Sequence, residues 1–276
     1  MSVELRDVSL AYHRATPRQV VALRQINLSI ATGEFVTIVG SNGAGKTSLN
    51  NVISGASRPS TGSVRIDGRD VTRDPDYRRA HAIARVFDDP LRGTAPTLSI
   101  EENLALALAQ GKRSLRFALN ERRRKIMCEA LEQLGLGLEN RLTDTVQLLS
   151  AGQRQSLTLV MASLRQPSVL LLDEHVAALD PRTQKTVLDI TVALVGRLRC
   201  TTVMVTHNMN HAIAFGDRLL VMSRGEVIAD FPHAEKTNLT TERLVLHIAE
   251  VGDVVSDRMY LMEHDGHSNV KRTKSL

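Results

Sequence analysis

Eight residues near the N-terminus have the composition of a phosphate-binding loop. A strand-like segment precedes this loop and a helical pattern that includes Ser48 follows it; its residues are Gly40, Ser41, Asn42, Gly43, Ala44, Gly45, Lys46 and Thr47. Glycines let the backbone wrap closely, so that successive N–H groups and the N-terminal end of the helix face phosphate oxygens. Lys46 is placed to reach the β and γ phosphates of a nucleotide, and the Thr47 hydroxyl can bind Mg²⁺. The alternative, a glycine-rich turn without a ligand, does not account for the position between strand and helix.

Two carboxylates follow the apolar segment Val169–Leu172. Asp173 and Glu174 end a predicted buried strand, at the edge where a parallel sheet opens to its ligand crevice. Asp173 would hold the shell of Mg²⁺ through water, and Glu174 would polarise an attacking water as general base. Helix capping explains such a pair equally well on its own. Together with the glycine-rich loop, the pair favours catalysis.

A third segment offers anion-directed donors at the start of a helical pattern; it reads Leu149, Ser150, Ala151, Gly152, Gln153, Arg154 and Gln155. A simple helix N-cap is the structural alternative. The segment resembles the LSGGQ signature of ATP-binding cassette (ABC) proteins, with Ala151 at the second small position. Combined with the two preceding motifs, it identifies the chain as similar to the ATP-binding subunits of ABC transporters, over residues 1 to about 232.

The resemblance assigns roles to further positions. Tyr12 matches the aromatic residue that stacks on adenine, although a tyrosine beside a strand is more often a packing residue. Ala178–Asp180 matches the D-loop, which bridges two subunits, and His207 matches the histidine that contacts the γ phosphate. Asp88 stands where the family has a glutamine in its Q-loop. An aspartate can still reach Mg²⁺ or its waters, but it is shorter and charged, so we expect it to alter metal geometry or coupling to a partner.

The elements around these motifs predict an α/β fold. Strand patterns at 3–10, 26–30, 35–39, 64–67, 83–87, 169–172, 202–206 and 218–222 predict an α/β core with a mostly parallel sheet. The resemblance implies a P-loop NTPase core with an N-terminal antiparallel β subdomain. Between about 97 and 165, Ser99 and Glu102 resemble a capping box, and the periodicity of 100–108 and 126–134 is helical. We therefore predict an inserted α-helical subdomain, one ATP-binding domain over residues 1–251, and a polar tail over 252–276.

Composition limits the kinds of partner and the cellular location that the protein can have. The 35 lysines and arginines exceed the 30 aspartates and glutamates, which favours anionic partners without selecting one. The two cysteines, Cys128 and Cys200, form no metal-ligand spacing or disulfide framework, which indicates a reducing compartment. The N-terminus lacks a signal-peptide pattern, and the longest apolar runs fall far short of a membrane span. Together with the resemblance to ABC transporter subunits, this implies a peripheral protein on the cytoplasmic face of the inner (plasma) membrane.

The resemblance implies a function and a set of partners. One copy of each motif implies a homodimer with two molecules of ATP and Mg²⁺ at its interface, docked on integral-membrane permease subunits. Residues 87–102 and 206–209 look similar to a branch found beside permeases of the branched-chain amino-acid and ribose type. This implies import of a small solute such as an amino acid, with a solute-binding protein and without nucleic acid. A split exporter ATPase, a soluble ABC ATPase and a regulatory nucleotide-binding module remain the alternatives.

Overall fold

The computed structural model describes residues 2–13, 16–109 and 120–251. The predicted polar tail, 252–276, lies outside the described residues. The strands form two sheets, one of four strands in the order β2-β1-β4-β5 and one of six in the order β10-β9-β3-β8-β7-β6. The strands are β1 Val3–Tyr12, β2 Val20–Ile30, β3 Phe35–Val39, β4 Thr61–Ile66, β5 Arg69–Asp70, β6 Ile83–Val86, β7 Val169–Asp173, β8 Thr201–Val205, β9 Arg218–Ser223 and β10 Glu226–Phe231.

The four-stranded sheet is antiparallel, and the six-stranded sheet is parallel except for β10, which pairs antiparallel with β9. Strands β3, β7 and β8 are buried along their whole length. In β7, Val169 and Leu171 pack into the core shared with the antiparallel sheet, whereas Leu170 and Leu172 pack into a core on the other face. A strand covered on both faces needs apolar residues at successive positions, which is why the sequence here is a continuous apolar run.

Nine helices lie in the described ranges, with 3₁₀ turns at Pro90–Gly93, Leu138–Asn140 and Val146–Leu148. The helices are α1 Lys46–Ser54, α2 Asp76–Arg79, α3 Ile100–Leu108, α4 Glu121–Glu132, α5 Ala151–Ser163, α6 Pro181–Leu198, α7 Met209–Ala214, α8 His233–Lys236 and α9 Thr241–Val251. Buried residues of α3, α4 and α5 share one hydrophobic cluster. Helix α5 also packs on α6 and on β6, so it joins the helical part of the chain to the main sheet.

The α/β architecture, the antiparallel N-terminal sheet and the mostly parallel main sheet are as predicted. The capping box at the start of α3 is also confirmed, since Ser99 accepts from the Glu102 N–H and the Glu102 carboxylate accepts from the Ser99 N–H. Strand β2 begins six residues before the predicted segment at Ile26, and the sequence pattern did not predict β10. Both are partly exposed edge strands. Polar residues such as Arg24 and Glu226 interrupt the alternation of apolar and polar residues by which a strand is predicted.

Arg79 fixes the end of α1 to the antiparallel sheet. Its side chain is buried and donates to four backbone carbonyl oxygens, those of Val52, Ile53, Val71 and Asp74. A cation at the C-terminal end of a helix also offsets the negative end of the helix dipole. The helix that carries Lys46 at its first position is therefore anchored at its last turn.

Candidate functional site

The glycine-rich loop joins β3 to α1 and holds the lysine inside itself. Lys46 is 5% exposed, and its Nζ donates to the carbonyl oxygens of Gly40 at 2.6 Å and Ser41 at 3.0 Å. Asn42 and Thr47 are exposed, Ser41 and Ser48 are partly exposed, and Ala44 is buried. The ammonium group is thus held in the loop, while the Thr47 side chain remains accessible.

The loop backbone lies so close to its neighbours at Gly40 and Gly45 that a side chain is excluded at both positions. A Cβ on Gly40 would lie 2.2 Å from the carbonyl oxygen of Met222, and one on Gly45 would lie 2.7 Å from that of Ala22. Gly45 also has φ of +104° and precedes α1, whose N-terminus has no side-chain cap. The first N–H groups of a helix lack intrahelical partners, so this end suits an anion such as a phosphate. The cradle fits a nucleotide phosphate chain.

Three of the predicted residues come together at the ends of neighbouring strands. Glu174, directly after β7, has one carboxylate oxygen 3.9 Å from Lys46 Nζ and the other 3.3 Å from His207 Nδ1. Glu174 has φ of +48°, an uncommon conformation for a residue with a Cβ. Its N–H donates to the Val205 carbonyl oxygen on β8, so the local backbone is fixed by the neighbouring strand. Such strain is characteristic of functional sites.

Electrostatics keep Glu174 ionised. The hydrogen bond with His207 holds the pKa of Glu174 below its ordinary value, with Lys46 adding to this effect. The same hydrogen bond raises the pKa of His207. At neutral pH the carboxylate is therefore available as a proton acceptor, next to a lysine that can bind phosphate.

The predicted signature residues lie at the N-terminus of α5. Ser150 caps this helix, accepting from the Gln153 N–H, and the Gln153 side chain accepts from the Ser150 N–H. A Cβ on Gly152 would lie 2.2 Å from Cγ2 of Thr183 on α6, so this glycine permits the close packing of the two helices. Ala151 is exposed. The structure does not show these four residues in contact with Lys46, Glu174 or His207.

The family profile described as ABC transporter matches residues 23–177. The chain belongs to the ABC transporter family. It is 41% identical over 244 residues to the tyrosine transport ATP-binding protein of Clostridioides difficile, covering 88% of this chain and 97% of that protein. It is 35% identical over 225 residues to the spermidine/putrescine import ATP-binding protein PotA of Spiroplasma citri, covering 82% of this chain but 60% of that protein.

Solved structures agree with this assignment. The dimeric ATP-binding cassette MJ0796 bound to ADP and phosphate is 30% identical, with a TM-score of 0.72, over 84% of this chain and 98% of that one. The cbiO1 protein of Clostridium perfringens, part of the ABC transporter complex cbiONQ, is 25% identical, with a TM-score of 0.72, over 95% and 98%. The chain is therefore an ABC ATPase, a subunit of a transporter. Within the described ranges, none of its helices is long and apolar enough to cross a membrane.

Tyr12, at the end of β1, packs partly buried against the core that β1 shares with α1. Its hydroxyl lies 3.5 Å from Oγ of Ser57, just beyond α1. The tyrosine is thus near the helix that follows the phosphate-binding loop. Its predicted contact with adenine stays a prediction, because packing alone accounts for the position.

The Q-loop position of this ABC ATPase is exposed. The Asp88 side chain is 59% exposed and lies 3.8 Å from Nη1 of Arg92. The preceding carbonyl oxygen, of Phe87, accepts from Gln155 Nε2 on α5 at 3.0 Å. Asp88 as a ligand of Mg²⁺ stays a prediction.

Asp173 is paired with a residue that sequence reasoning missed. Its Oδ2 lies 2.6 Å from Nη2 of Arg85 on β6, and both side chains are nearly buried. The only signal in the sequence is a charged residue inside the otherwise apolar segment 83–87. The pairing itself joins strands 88 positions apart and is visible only in the fold.

The described ranges contain no group of three or more His, Cys, Asp or Glu side chains that could hold a metal by themselves. Mg²⁺ in nucleotide sites usually keeps several waters and takes one or two protein ligands plus phosphate oxygens. The exposed Thr47 hydroxyl and the Asp173 carboxylate match that donor set.

His175, next to the catalytic candidate Glu174, is buried and neutral. Its Nε2 lies 3.1 Å from Oγ1 of Thr191 on α6. Burial, with a smaller contribution from His211, lowers its pKa from 6.5 to about 4. Between these two values the unfolded chain binds more protons at His175 than the folded chain does. This histidine therefore destabilises the fold as pH falls from about 6.5 towards 4.

We expect this histidine to cost the protein about 2 kcal/mol of unfolding free energy at about pH 5 relative to about pH 8. The measurement is urea denaturation of the wild type and of His175→Gln at both pH values. The two proteins must be compared because the raised pKa of His207 changes stability with pH in the opposite direction, and it does so in both of them. The wild type should lose more stability than His175→Gln on acidification. His81→Gln, at an exposed position, is the control. Equal losses for wild type and His175→Gln would contradict this prediction.

Proposed function

We propose that this ABC ATPase works as a homodimer that hydrolyses MgATP to power the import of an amino acid through separate permease subunits. The observation that carries the proposal is the cluster of Lys46, Glu174 and His207. A buried lysine in a phosphate-binding loop, an ionised carboxylate and a histidine meet there at the open ends of β3, β7 and β8.

Each residue of the cluster has a distinct task in hydrolysis. Lys46 binds the β and γ phosphates as a point charge. Glu174 orients and deprotonates the water that attacks the γ phosphate. His207 hydrogen-bonds Glu174 in the free protein and contacts the γ phosphate when ATP is present. The adenine ring stacks on Tyr12, and the loop N–H groups hold the remaining phosphate oxygens.

Thr47 and Asp173 would hold Mg²⁺, and Asp88 is a further candidate. The ion supplies positive charge that neutralises the phosphate oxygens during transfer of the γ phosphate. The Asp173 carboxylate supports this assignment, because Mg²⁺ prefers oxygen ligands and this carboxylate lies at the end of β7, directly before Glu174.

The second half of each ATP site comes from another copy of the chain. The N-terminus of α5, with Ser150, Ala151, Gly152 and Gln153, would face the γ phosphate bound by the partner's loop. Two observations support this: these residues lie apart from the Lys46 cluster, and the related MJ0796 cassette is dimeric. ATP would close the dimer, and hydrolysis would let it open.

The transported compound is proposed from relatives. A protein that is 41% identical along nearly its whole length is a tyrosine transport ATP-binding protein. We propose an amino acid as the substrate, carried by permeases of the branched-chain amino-acid and ribose type and delivered by a solute-binding protein. The ATPase would lie on the cytoplasmic face of the plasma membrane, without nucleic acid as a partner.

Reconstitution tests this function. The ATPase is co-purified with a candidate permease and placed in liposomes, and phosphate release is measured with a candidate solute-binding protein and tyrosine. We expect tyrosine to raise the rate of hydrolysis, and a polyamine such as spermidine, which is not an amino acid, to leave the rate unchanged. The Asp88→Gln variant in the same liposomes should change either the dependence of ATP hydrolysis on Mg²⁺ or the stimulation of hydrolysis by tyrosine. Hydrolysis that no amino acid stimulates would refute the amino acid as substrate, but the assignment of the chain as an ATPase would stand.

A further inference from the structure

Arg85 connects three segments of the nucleotide site. It lies on β6, and its side chain is 12% exposed. Nη2 is 2.6 Å from Asp173 Oδ2 at the end of β7, and Nη1 is 2.7 Å from Asn51 Oδ1 on α1. The guanidinium carbon also lies 4.8 Å from the centroid of the Phe87 ring, next to the Q-loop position. One cation thus touches the metal-binding candidate, the helix behind the phosphate loop and the Q-loop.

The contacts of Arg85 differ in kind from those of the structural arginine Arg79. Arg79 donates only to backbone carbonyl oxygens, which are fixed by the surrounding sheet and helix. Arg85 bonds two side chains, and its Nε has no hydrogen-bond partner among the described residues. Side-chain partners can be exchanged without breaking the backbone ladder. The contacts of Arg85 are therefore suited to a change of partner.

Charge balance at Asp173 explains why a partner is needed. Asp173 is 7% exposed, and a buried carboxylate without a compensating charge is strongly destabilising. Arg85 supplies that charge in the free protein. A divalent cation bound at the same carboxylate would supply it as well, and the two cations would repel each other at this short distance. Only one of them is needed at a time.

We propose that Arg85 is a positioning residue that acts as the counter-ion of Asp173 in the absence of nucleotide and gives way to Mg²⁺ when MgATP binds. This proposal rests on the MgATP binding proposed above. Release of Arg85 from Asp173 alters its contact with Phe87, whose carbonyl oxygen accepts from Gln155 on α5.

The test is the gain in ATP affinity that Mg²⁺ provides, measured without turnover. The chain has no tryptophan, so calorimetric titration is used, with ATP in excess EDTA and with ATP in Mg²⁺, in the cold to limit hydrolysis. The ratio of the dissociation constant in EDTA to the dissociation constant in Mg²⁺ should be on the order of tenfold larger in Arg85→Met than in the wild type. The reason is that in this variant the metal no longer competes with a resident cation and neutralises an unpaired carboxylate.

Two further variants complete the test. Arg78→Met is the control, since Arg78 also lies over an aromatic ring, that of Tyr77 at 6.0 Å, but pairs with Asp74, which is not a candidate metal ligand. Its ratio should equal that of the wild type. Arg85→Gln, which keeps a hydrogen-bond donor without the charge, replaces Arg85→Met if that variant does not fold, and its ratio should also rise.

The outcomes separate this inference from the proposed function. An unchanged or smaller ratio in both uncharged Arg85 variants, with normal MgATP binding by the wild type, overturns the inference. A merely structural role of Arg85 would weaken binding with and without Mg²⁺ equally. Failure of the wild type to bind MgATP would instead refute the proposed function.

Discussion

Glu174→Gln is expected to lower the rate of phosphate release from MgATP at least about 100-fold, because general bases contribute factors of this size or more. The carboxylate is ionised and lies next to Lys46 and His207 at the end of β7, where we propose that it orients the attacking water. Glutamine has the same shape but cannot accept the proton. The measurement is steady-state phosphate release by the purified protein.

ATP binding distinguishes a chemical defect from a structural one. Glu174→Gln should bind ATP at least as tightly as the wild type, because it removes a negative charge next to the phosphates. Glu132→Gln, the same change at an exposed position of α4, should leave both rate and affinity unchanged. A Glu174→Gln protein with the wild-type rate would remove this residue from the mechanism.

Ser150→Asp is the second large expected effect, and it tests the composite site. Aspartate caps helices as well as serine does, so α5 should stay intact. Its charge would face the γ phosphate held by the other subunit, and a like-charge contact in a closed interface costs several kcal/mol. In a Glu174→Gln background, we expect ATP-driven dimerisation to be weaker by about 100-fold or more, which corresponds to about 2.7 kcal/mol. Size-exclusion chromatography with ATP measures it.

Two variants control for helix capping. Ser150→Asn keeps the cap without the charge and should dimerise more tightly than Ser150→Asp. Ser99→Asp makes the same change in the capping box of α3 and should dimerise like the parent protein. If Ser150→Asp dimerises as well as Ser99→Asp does, the N-terminus of α5 does not face nucleotide.

Mixing two inactive variants shows whether the loop of one subunit and the signature residues of the other form one ATP site. Lys46→Ala and Ser150→Asp should each be nearly inactive alone. In an equal mixture, half of the dimers would hold one intact site, formed by the loop of one subunit and the signature of the other. With independent sites the mixture should recover about a quarter of the wild-type rate. A site built within one chain would give no recovery.

The sequence predicted the parts of the site that depend on local order along the chain. Lys46 follows a strand and begins a helix, and Glu174 and His207 each follow an apolar run, so their meeting at one sheet edge followed from a parallel sheet. The capping box at Ser99 was predicted in the same way, from residues that lie close together in the sequence. Arg85 could not be predicted in the same way, because its partners Asn51 and Asp173 reach it only through packing of α1 and pairing of β6 with β7.

The contact of Gly152 with Thr183 sets the spacing between α5 and α6 in this ATPase. A Cβ at position 152 would lie 2.2 Å from Cγ2 of Thr183, so a larger residue there would push the two helices apart. Thr183 lies in the first turn of α6, and its N–H, like that of Arg182, donates to the side chain of Asp180, which ends the predicted D-loop. A larger residue at position 152 would therefore also displace the signature helix from the D-loop segment.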